Sequence, residues 1–311
     1  MRFWIIAALI VAAGFGIAVS PVNEYFFFAA FVVLTYVVLA TAWNILGGYA
    51  GYVNFGTAAF FGVGAYTAVV LFKWLGAPLL VQIAAGAAMG ALLGCGVGLL
   101  TLRLRGIFFA IATVAVIFIM ETLMINWRYV GGATGLQLGR PPVSAPFDTY
   151  TRMLFLVMVL MAVASIGIAR YVQDSWVGRG LRAIRDSEEA AEACGVPTLR
   201  LKLIACVISG ALMGAAGAPM PMYLSFIEPA STFNLNYSVN ALAAPVIGGT
   251  THWLGPLIGA LLLSTLQQIV TVTISGEVNV LIVGVLLVLF VVIAPEGVLG
   301  LFKRWLKPSS K

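Results

Sequence analysis

Apolar residues occur along this chain in long runs that short polar stretches separate. Several runs approach 20 residues, the length that an α-helix needs to cross the hydrocarbon core of a bilayer. The pattern predicts about ten membrane helices. They cover residues 3–20, 25–46, 57–75, 78–102, 106–126, 152–172, 202–222, 237–249, 255–275 and 279–300. The run at 237–249 is too short for a full straight span, so we expect a half-helix or an extension into the preceding loop.

The first run also has features of a secretory signal peptide. Arg2 precedes the apolar stretch, and Ala18 and Ser20 have the spacing of a cleavage site. However, Pro21 would follow that cleavage point, and the run is long enough to span a bilayer. We therefore expect a retained first transmembrane helix.

Composition places the chain among polytopic α-helical membrane proteins. Hydrophobic residues make up 62% of the 311 positions and charged residues only 9%, with a mean hydropathy of +1.06, whereas roughly a quarter of residues are charged in soluble domains. A transmembrane barrel would show segments of about ten alternating residues instead. The cysteines, Cys95, Cys194 and Cys206, lack the spacing of a metal site, and the single His252 belongs to no recognisable catalytic set. The fold class is all-α, and the sequence does not support an enzyme.

The basic residues predict the orientation. Of the 17 basic residues, Lys73, Arg128, Arg140 and Arg152 fall on one side of the predicted helices, which leaves 13 on the other side together with both termini. By the positive-inside rule the richer side is the cytoplasm. This parity requires 237–249 to cross the membrane separately from 255–275. The region 127–151 is then a compact extracytoplasmic loop, which serves either as a docking surface or as a simple connection.

Two glycine-rich segments interrupt the helical pattern, at residues 44–66 and 246–263. Irregular backbone within a membrane is tolerated where protein or a water-filled cavity surrounds it, so the breaks indicate a translocation pathway or gate. The alternative is that Gly62, Gly64, Gly255 and Gly259 only allow close helix packing. Polar groups near the breaks are Asn44, Asn54, Thr57, Thr250, Thr251, Gln267 and Gln268. The residues that we predict to line the pathway are Asn44, Gly47, Gly48, Asn54, Thr57, Gly248, Gly249, Thr250 and Thr251.

We interpret residues 1–311 as one transmembrane domain. Residues 25–126 and 202–300 each hold four predicted spans that begin on opposite sides, which suggests an inverted repeat. Residues 173–201 form the cytoplasmic loop between them. Since ion-coupled carriers usually hold carboxylates within the membrane and this pattern places none securely there, we expect an energy source outside the chain.

The loop between the halves holds a charged segment, residues 178–202. Arg179, Arg182 and Arg185 recur every three residues and share one helical face. Asp186 is a candidate N-cap for a second, short helix, with Glu189 as its capping-box partner, and Gly195 fits the C′ position beyond the end of that helix. A helix of about two turns is not stable alone in water, so it requires a partner surface. An ordinary positive-inside loop explains the arginines but not this capped, alanine-rich helix.

The stretch EAAEACG, from Glu189 to Gly195, resembles the EAA-x-x-x-G signature of ABC importer permeases. Further pieces resemble the branched-chain amino acid permease family, LivM type. They are GGYAGYVNFGTAAFFGVGAY, RLRGIFFAIATVAVIF, GGATGL, IGG followed by LGPLIGALLL, and APEGVLGL, and with the charged segment they extend over about residues 36–301. The resemblance implies a type II-like permease architecture in a bacterial inner membrane, in which the charged loop is a coupling helix.

The resemblance also implies the partners and the residues that contact them. Two cytoplasmic ABC ATPase subunits carry ATP and Mg, a second related permease pairs with this chain, and a periplasmic substrate-binding protein delivers the ligand. Membrane lipids surround the chain, which holds no cofactor itself and binds no nucleic acid. The residues implied in ATPase coupling are Arg182, Arg185, Glu188, Glu189, Ala190, Ala191 and Gly195.

The ligand stays open at this stage. Asn54 to Thr57 and Thr250 to Trp253 differ from what relatives often carry at these places, and the wider family also moves urea, short amides and other acids. The expected function is ATP-driven import of branched-chain or other neutral amino acids. The alternatives are a urea or short-amide importer of the same architecture and an ion-coupled secondary transporter.

Overall fold

The computed structural model describes residues 2–139, 147–273, 281, 284–285, 288 and 297–300. Helices dominate these ranges. They are α1 (Arg2–Val19), α2 (Glu24–Ala50), α3 (Thr57–Leu75), α4 (Leu79–Thr101), α5 (Ile107–Asn126), α6 (Tyr150–Asp174), α7 (Trp176–Asp186), α8 (Glu188–Ala193), α9 (Thr198–Gly217), α10 (Met220–Leu224), α11 (Pro229–Thr232), α12 (Leu235–Gly248) and α13 (Leu254–Thr273). Two short strands, β1 (Leu136–Gln137) and β2 (Phe226–Ile227), pair antiparallel.

Seven helical stretches of the described residues are long and apolar enough to cross a membrane: α2 to α6, the run from Thr198 to Leu224, and Leu254–Thr271. The hydropathy pattern therefore located these helices correctly, and the all-α membrane class is confirmed. The helix predicted at 237–249 has 14 residues, from Leu235 to Gly248, and is shorter than a full span. Of the span predicted at 279–300, only residues 281, 284–285, 288 and 297–300 are among those described.

Local chemistry explains several of the helix ends. The Asn23 side chain accepts a hydrogen bond from the Tyr25 backbone N–H and begins α2, and Asn234 caps α12 in the same way. Helix α2 ends at Gly51, whose φ of +76° lies in the left-handed region that glycine adopts without strain.

The centre of the bundle is α2. Nearly every residue in its second half is buried, from Val37 to Ala50, because α6, α9, α12 and α13 all pack around it. Large apolar side chains of the surrounding helices point outward instead, including Leu80 and Leu100, which are 78% and 79% exposed. A buried centre and an apolar periphery are the arrangement expected of helices that face lipid.

Helices α4 and α9 pack with their backbones in contact. Gly86 and Gly90 of α4 lie against Gly214 and Gly210 of α9, and a side chain added at Gly90 would overlap the Gly210 carbonyl. Small residues four positions apart allow membrane helices to approach this closely. The four-residue spacing of these glycines is present in the sequence, outside the two glycine-rich breaks.

The helix ends gather at two faces of the bundle. Lys202 near the start of α9 contacts Leu102 at the end of α4, and Arg185 of α7 contacts Gly48 at the end of α2. We call this face the charged end. The β1–β2 pair and the cluster of Arg152 with Glu24 lie at the opposite face.

The two faces explain the course of the chain after α9. Helix α12 follows β2 at the opposite face and ends at the charged end, where Thr250 contacts Asn44, and α13 then leaves that end. Residues Leu235–Gly248 therefore form a helix separate from α13, and this helix is shorter than a full span.

Candidate functional site

Helix α8 is a six-residue helix at the charged end with a cap at each terminus. The Ser187 hydroxyl accepts a hydrogen bond of 3.3 Å from the Ala190 backbone N–H, so Ser187 is the N-cap. The prediction of Asp186 was wrong, because Asp186 is the last residue of α7 and the chain turns one residue later. With Ser187 as the N-cap the N3 residue is Ala190, which cannot complete a capping box, so the predicted box with Glu189 is not formed.

The C-terminal end of α8 is the one that the sequence predicted. Gly195 has a φ of +81° and occupies the C′ position. Its N–H donates to the Glu192 carbonyl at 2.9 Å, and the Val196 N–H donates to the Ala191 carbonyl at 3.0 Å. These two bonds form a Schellman motif, which requires a left-handed residue where Gly195 lies.

The inner face of α8 is attached to the bundle by a buried ion pair. Lys202, only 3% exposed, donates to Glu188 Oε1 at 2.7 Å, to the Tyr52 hydroxyl at 2.9 Å and to the Leu102 carbonyl at 3.1 Å. The Tyr52 hydroxyl donates in turn to Glu188 Oε2 at 2.5 Å. Every donor of the lysine ammonium group therefore has an acceptor, which is what a buried charge needs.

The environment of Glu188 fixes its charge. Burial raises the pKa of this carboxyl, but hydrogen bonds from Lys202 and Tyr52 and the positive charges of Lys202 and Arg105 outweigh it, so the pKa lies below its usual value. Burial, with the hydrogen bond to Glu188 and its charge, raises the pKa of the Tyr52 hydroxyl far above its usual range. At neutral pH Glu188 is therefore a carboxylate and Tyr52 a neutral phenol.

The outer face of α8 is open. The Glu189 side chain is 83% exposed, and Ala190, Ala193 and Cys194 are exposed as well, whereas Ala191 is buried. Arg105, which is half exposed, lies 3.2 Å from Glu189 and within 4.0 Å of Glu188 and Glu192. The helix therefore presents small side chains and the carboxylates of Glu189 and Glu192 outward, while Glu188 and Ala191 hold it from within.

The arginines of α7 contact the ends of transmembrane helices. Arg185 donates to the Gly48 carbonyl at 2.8 Å, Arg182 to the Gln173 carbonyl at 3.2 Å, and Arg179 to the Asp174 carbonyl at 3.2 Å. Carbonyls in the last turn of a helix lack intrahelical partners, and cations there also complement the helix dipole. Helix α7 is therefore joined to the ends of α2 and α6.

The first glycine-rich break is shorter than its sequence suggested. Gly47 and Gly48 do not interrupt α2, which continues to Ala50, and the irregular part is the α2–α3 linker, residues 51–56. Gly48 instead provides space, since a side chain there would overlap Asn44 Oδ1 and meet the Thr250 carbonyl. The pair was misread as a break because glycine is unfavourable in a helix unless close packing needs it.

The α2–α3 linker is held by hydrogen bonds within the chain. The Asn54 side-chain Oδ1 accepts a hydrogen bond from the Gly56 N–H at 2.7 Å, and the Asn54 backbone carbonyl accepts one from the Trp43 indole N–H at 2.7 Å. Thr57 begins α3 and is fully buried. Two oxygens here, Thr57 Oγ1 and Asn44 Oδ1, are buried and find no hydrogen-bond partner among the described residues.

The second break lies where it was predicted, between α12 and α13. We call residues 249–253 the α12–α13 linker. Gly248 and Gly255 pack so closely that a side chain on Gly248 would overlap the Gly255 carbonyl, and one on Gly255 would overlap the Gly249 carbonyl. Gly249 has a φ of +112° and makes the turn. Thr250 is half-buried, and Thr251 is exposed.

Close packing by glycine was the alternative interpretation of these segments, and it is confirmed for all four glycines. A side chain added at Gly62 would overlap Phe233, and one at Gly64 would overlap the Gly214 carbonyl. A side chain at Gly259 would overlap the Ala244 carbonyl, and one at Gly255 would overlap the Gly249 carbonyl.

Three residues that the sequence did not single out connect these parts. Lys202 and Tyr52 hold α8. Gln173 Oε1 accepts from the Trp253 N–H at 2.8 Å and from the Tyr49 hydroxyl at 3.3 Å, so it joins the α12–α13 linker to α2. One signal was available: Lys202 is a basic residue inside the apolar run that begins α9, a place where a charge needs a partner.

Neither a metal centre nor a disulfide is formed by the described residues. No group of three histidine, cysteine or acidic residues within them has metal-site geometry, and the three cysteines are free thiols. Cys194 is exposed and Cys206 is buried.

Comparison with known proteins identifies the family of the chain. The family model described as branched-chain amino acid transport system / permease component matches residues 25–291. The high-affinity branched-chain amino acid transport system permease protein LivM of Escherichia coli K12 is 26% identical over 98% of this chain and 76% of its own length. The probable branched-chain amino acid transport permease LivH of Methanocaldococcus jannaschii is 25% identical over 82% of this chain and 85% of its own.

A more distant similarity reaches a sugar permease. The ribose import permease RbsC of Haemophilus influenzae is 29% identical over 41% of each chain. No solved structure matches the chain. Because the family model covers most of the sequence, the chain belongs to the family of branched-chain amino acid transport system permease components.

Proposed function

We propose that this chain is the permease subunit of an ATP-driven ABC importer that carries branched-chain or other neutral amino acids. The observation that carries the proposal is α8: an EAA-x-x-x-G helix that is capped at both ends, held from inside by Glu188 and open on its outer face. The family to which the chain belongs supports the transport role.

Helix α8 has the properties of a coupling helix. Six residues are too few for a stable helix in water, so its caps and its ion pair keep it formed before a partner arrives. A preformed helix costs less entropy to bind than a disordered loop. We assign its exposed residues Glu189, Ala190 and Gly195 to contact with an ATPase subunit, and Arg182, Arg185, Glu188 and Ala191 to holding the helix on the bundle.

We assign the translocation pathway or its gate to the two linkers and the helix ends beside them. Their residues are Asn44, Gly47, Gly48, Asn54, Thr57, Gly248, Gly249, Thr250 and Thr251. The buried oxygens of Asn44 and Thr57 find no partner within the described part of the chain, and this supports the assignment because buried polar atoms in proteins normally have partners. Asn54 has partners within the linker, so its part in a pathway rests on position alone.

The proposal includes the assembly and its orientation. We place the charged end and both termini in the cytoplasm of a bacterial cell, ten spans in two inverted repeats of type II-like architecture, and a second related permease beside this one. Two ATPase subunits supply ATP and Mg, and a periplasmic protein delivers the ligand. The basic residues gathered at the charged end support the orientation.

Uptake by reconstituted vesicles tests the function. The chain, together with the permease, ATPase and binding-protein subunits encoded with it, is expected to accumulate labelled leucine, isoleucine or valine only when ATP is enclosed on the ATPase side. Urea, acetamide and ribose serve as competitors, and competition by urea or acetamide would favour the amide importer. Ion-driven uptake by the chain alone would contradict the proposal.

Cysteine labelling tests the orientation. In a variant that keeps Cys194 as its one cysteine, a membrane-impermeant maleimide is expected to label inverted vesicles and not intact cells, because Cys194 is exposed at the charged end. A variant that keeps only Cys206 is the control, since that thiol is buried. Labelling of Cys194 in intact cells would show that the charged end faces the outside and would contradict the proposed orientation.

A further inference from the structure

Lys202 lies where four elements meet. The lysine belongs to α9, and its ammonium group bonds to Glu188 of α8, Tyr52 of the α2–α3 linker and the Leu102 carbonyl at the end of α4. With the hydrogen bond from Tyr52 to Glu188, the three side chains close a ring. We call Lys202, Glu188 and Tyr52 the clamp.

Among the described residues the clamp contains the least exposed ion pair between α8 and the bundle, and a hydrogen bond of 2.7 Å from Thr198 to Glu192 also joins α9 to α8. The other ion pairs of α8 are those with Arg105, whose side chain is 53% exposed, and two of its three distances are 3.9 and 4.0 Å. Water and salt screen such exposed pairs, so they contribute little. Lys202 and Glu188 are 3% and 14% exposed at a distance of 2.7 Å, where screening is weak and breaking the pair is costly.

The clamp connects α8 to two parts of the bundle, the α4–α9 pair and the α2–α3 linker. Through Lys202 it reaches α9, whose glycines lie against the backbone of α4, so the two helices are constrained to move together. Through Tyr52 it reaches the α2–α3 linker, which precedes the buried Thr57. A displacement of α8 would therefore pull directly on both the α4–α9 pair and the α2–α3 linker.

We propose that Lys202 is a positioning residue of energy coupling, which transmits the displacement of α8 through the clamp to the α4–α9 pair and the α2–α3 linker. This inference rests on the proposed function, in which an ATPase subunit moves α8. A merely structural role would be satisfied by any substitution that restores folding. A transmitting role requires the bonds themselves.

The double variant K202M/E188Q separates these roles. Methionine and glutamine preserve the volumes of the two side chains and leave no unpaired buried charge, so the chain is expected to fold, whereas K202M alone leaves Glu188 uncompensated and lowers the yield. Because loss of the ion pair is expected to weaken the binding of α8 to its ATPase subunit, the complete importer is reconstituted with ATPase subunits in excess, so that the double variant is fully assembled. The amount of amino acid transported per ATP is expected to fall on the order of tenfold, which is the effect of losing one charge-assisted hydrogen bond on an equilibrium.

Two further variants complete the experiment. Y52F keeps the ion pair and removes the bond to the linker, so a smaller fall in the same ratio is expected, and this variant decides the question if the double variant does not fold. R200M removes an exposed charge from the same helix and is expected to leave the ratio unchanged. A ratio within about twofold of wild type in both K202M/E188Q and Y52F would overturn the role of the clamp. Wild-type chain that binds no ATPase subunit would instead contradict the proposed function.

Discussion

Asn44 and Thr250 lie 206 positions apart in the sequence, and the Asn44 side-chain amide donates a hydrogen bond of 3.2 Å to the Thr250 carbonyl. The bond joins the last turns of α2 to the α12–α13 linker. It forms because Gly48, one turn after Asn44, has no side chain to separate them. The two glycine-rich segments that the sequence presents as separate breaks are thus one contact in the structure.

Substitution of Gly48 tests this contact. We expect Gly48→Ala to destabilise the protein by about 1–3 kcal/mol, because the new methyl group would overlap Asn44 and meet the Thr250 backbone. The measurement is the melting temperature in detergent, followed by uptake in vesicles. Gly16→Ala in α1 is the control, since a side chain there would meet nothing within 4 Å. Equal melting temperatures for the two variants would contradict the close approach.

The contact between α4 and α9 predicts a difference between two glycines of one helix. Gly90→Ala is expected to lower the yield of folded protein by forcing α4 away from the Gly210 carbonyl, at a cost of about 1–3 kcal/mol. Gly96→Ala places its methyl group in open space and is expected to be neutral or slightly stabilising. Size-exclusion profiles of the detergent-solubilised variants compare them, and indistinguishable profiles would refute the packing.

The N-cap of α8 gives a third prediction. Ser187→Ala removes the hydroxyl that accepts from Ala190 and is expected to destabilise α8 by about 1 kcal/mol. Since binding to an ATPase subunit requires the folded helix, its Kd is expected to rise roughly fivefold. Asp186→Ala removes the cap that the sequence had suggested and is expected to change the Kd little. A larger rise in Kd for Asp186→Ala than for Ser187→Ala would show that Asp186 is the N-cap.

The pH dependence of stability follows from Glu188. Its pKa is lower in the folded chain than its ordinary value of 4.5, so the stabilisation that it provides is complete above pH 4.5 and is lost as the pH falls through the lowered pKa. The melting temperature of wild type minus that of K202M/E188Q, which leaves no unpaired buried charge, is therefore expected to be constant from pH 8 to about pH 5 and to fall in stronger acid. A difference that grows in acid would show that the sign is wrong.

Much of the architecture could be predicted from local patterns. Hydrophobic runs located the spanning helices, since each run must match the membrane thickness whatever its neighbours are. The C′ position of Gly195 was predicted for a similar reason, because a left-handed residue followed by Pro197 ends a helix locally. The charged segment and its short helix required no knowledge of distant residues.

Errors in the sequence interpretation arose where two local signals competed. Asp186 and Ser187 are both good N-caps, and the preference for Ser187 depends on where α7 ends. The pair Gly47 and Gly48 suggests a break in a helix considered alone, but it permits the contact with Thr250 in the packed bundle. The sequence holds both signals and does not rank them.

The sequence of this protein was sufficient for its class, its family resemblance and the position of α8, because these depend on hydrophobicity, caps and motif spacing over a few turns of chain. The clamp required the tertiary structure. Tyr52 and Lys202 are separated by 150 positions, and they meet only because α2 and α4 end, and α9 begins, at the same face of the bundle. A buried lysine selects its partners by distance in space and by the loss of water around it, and neither quantity is written in the order of the residues.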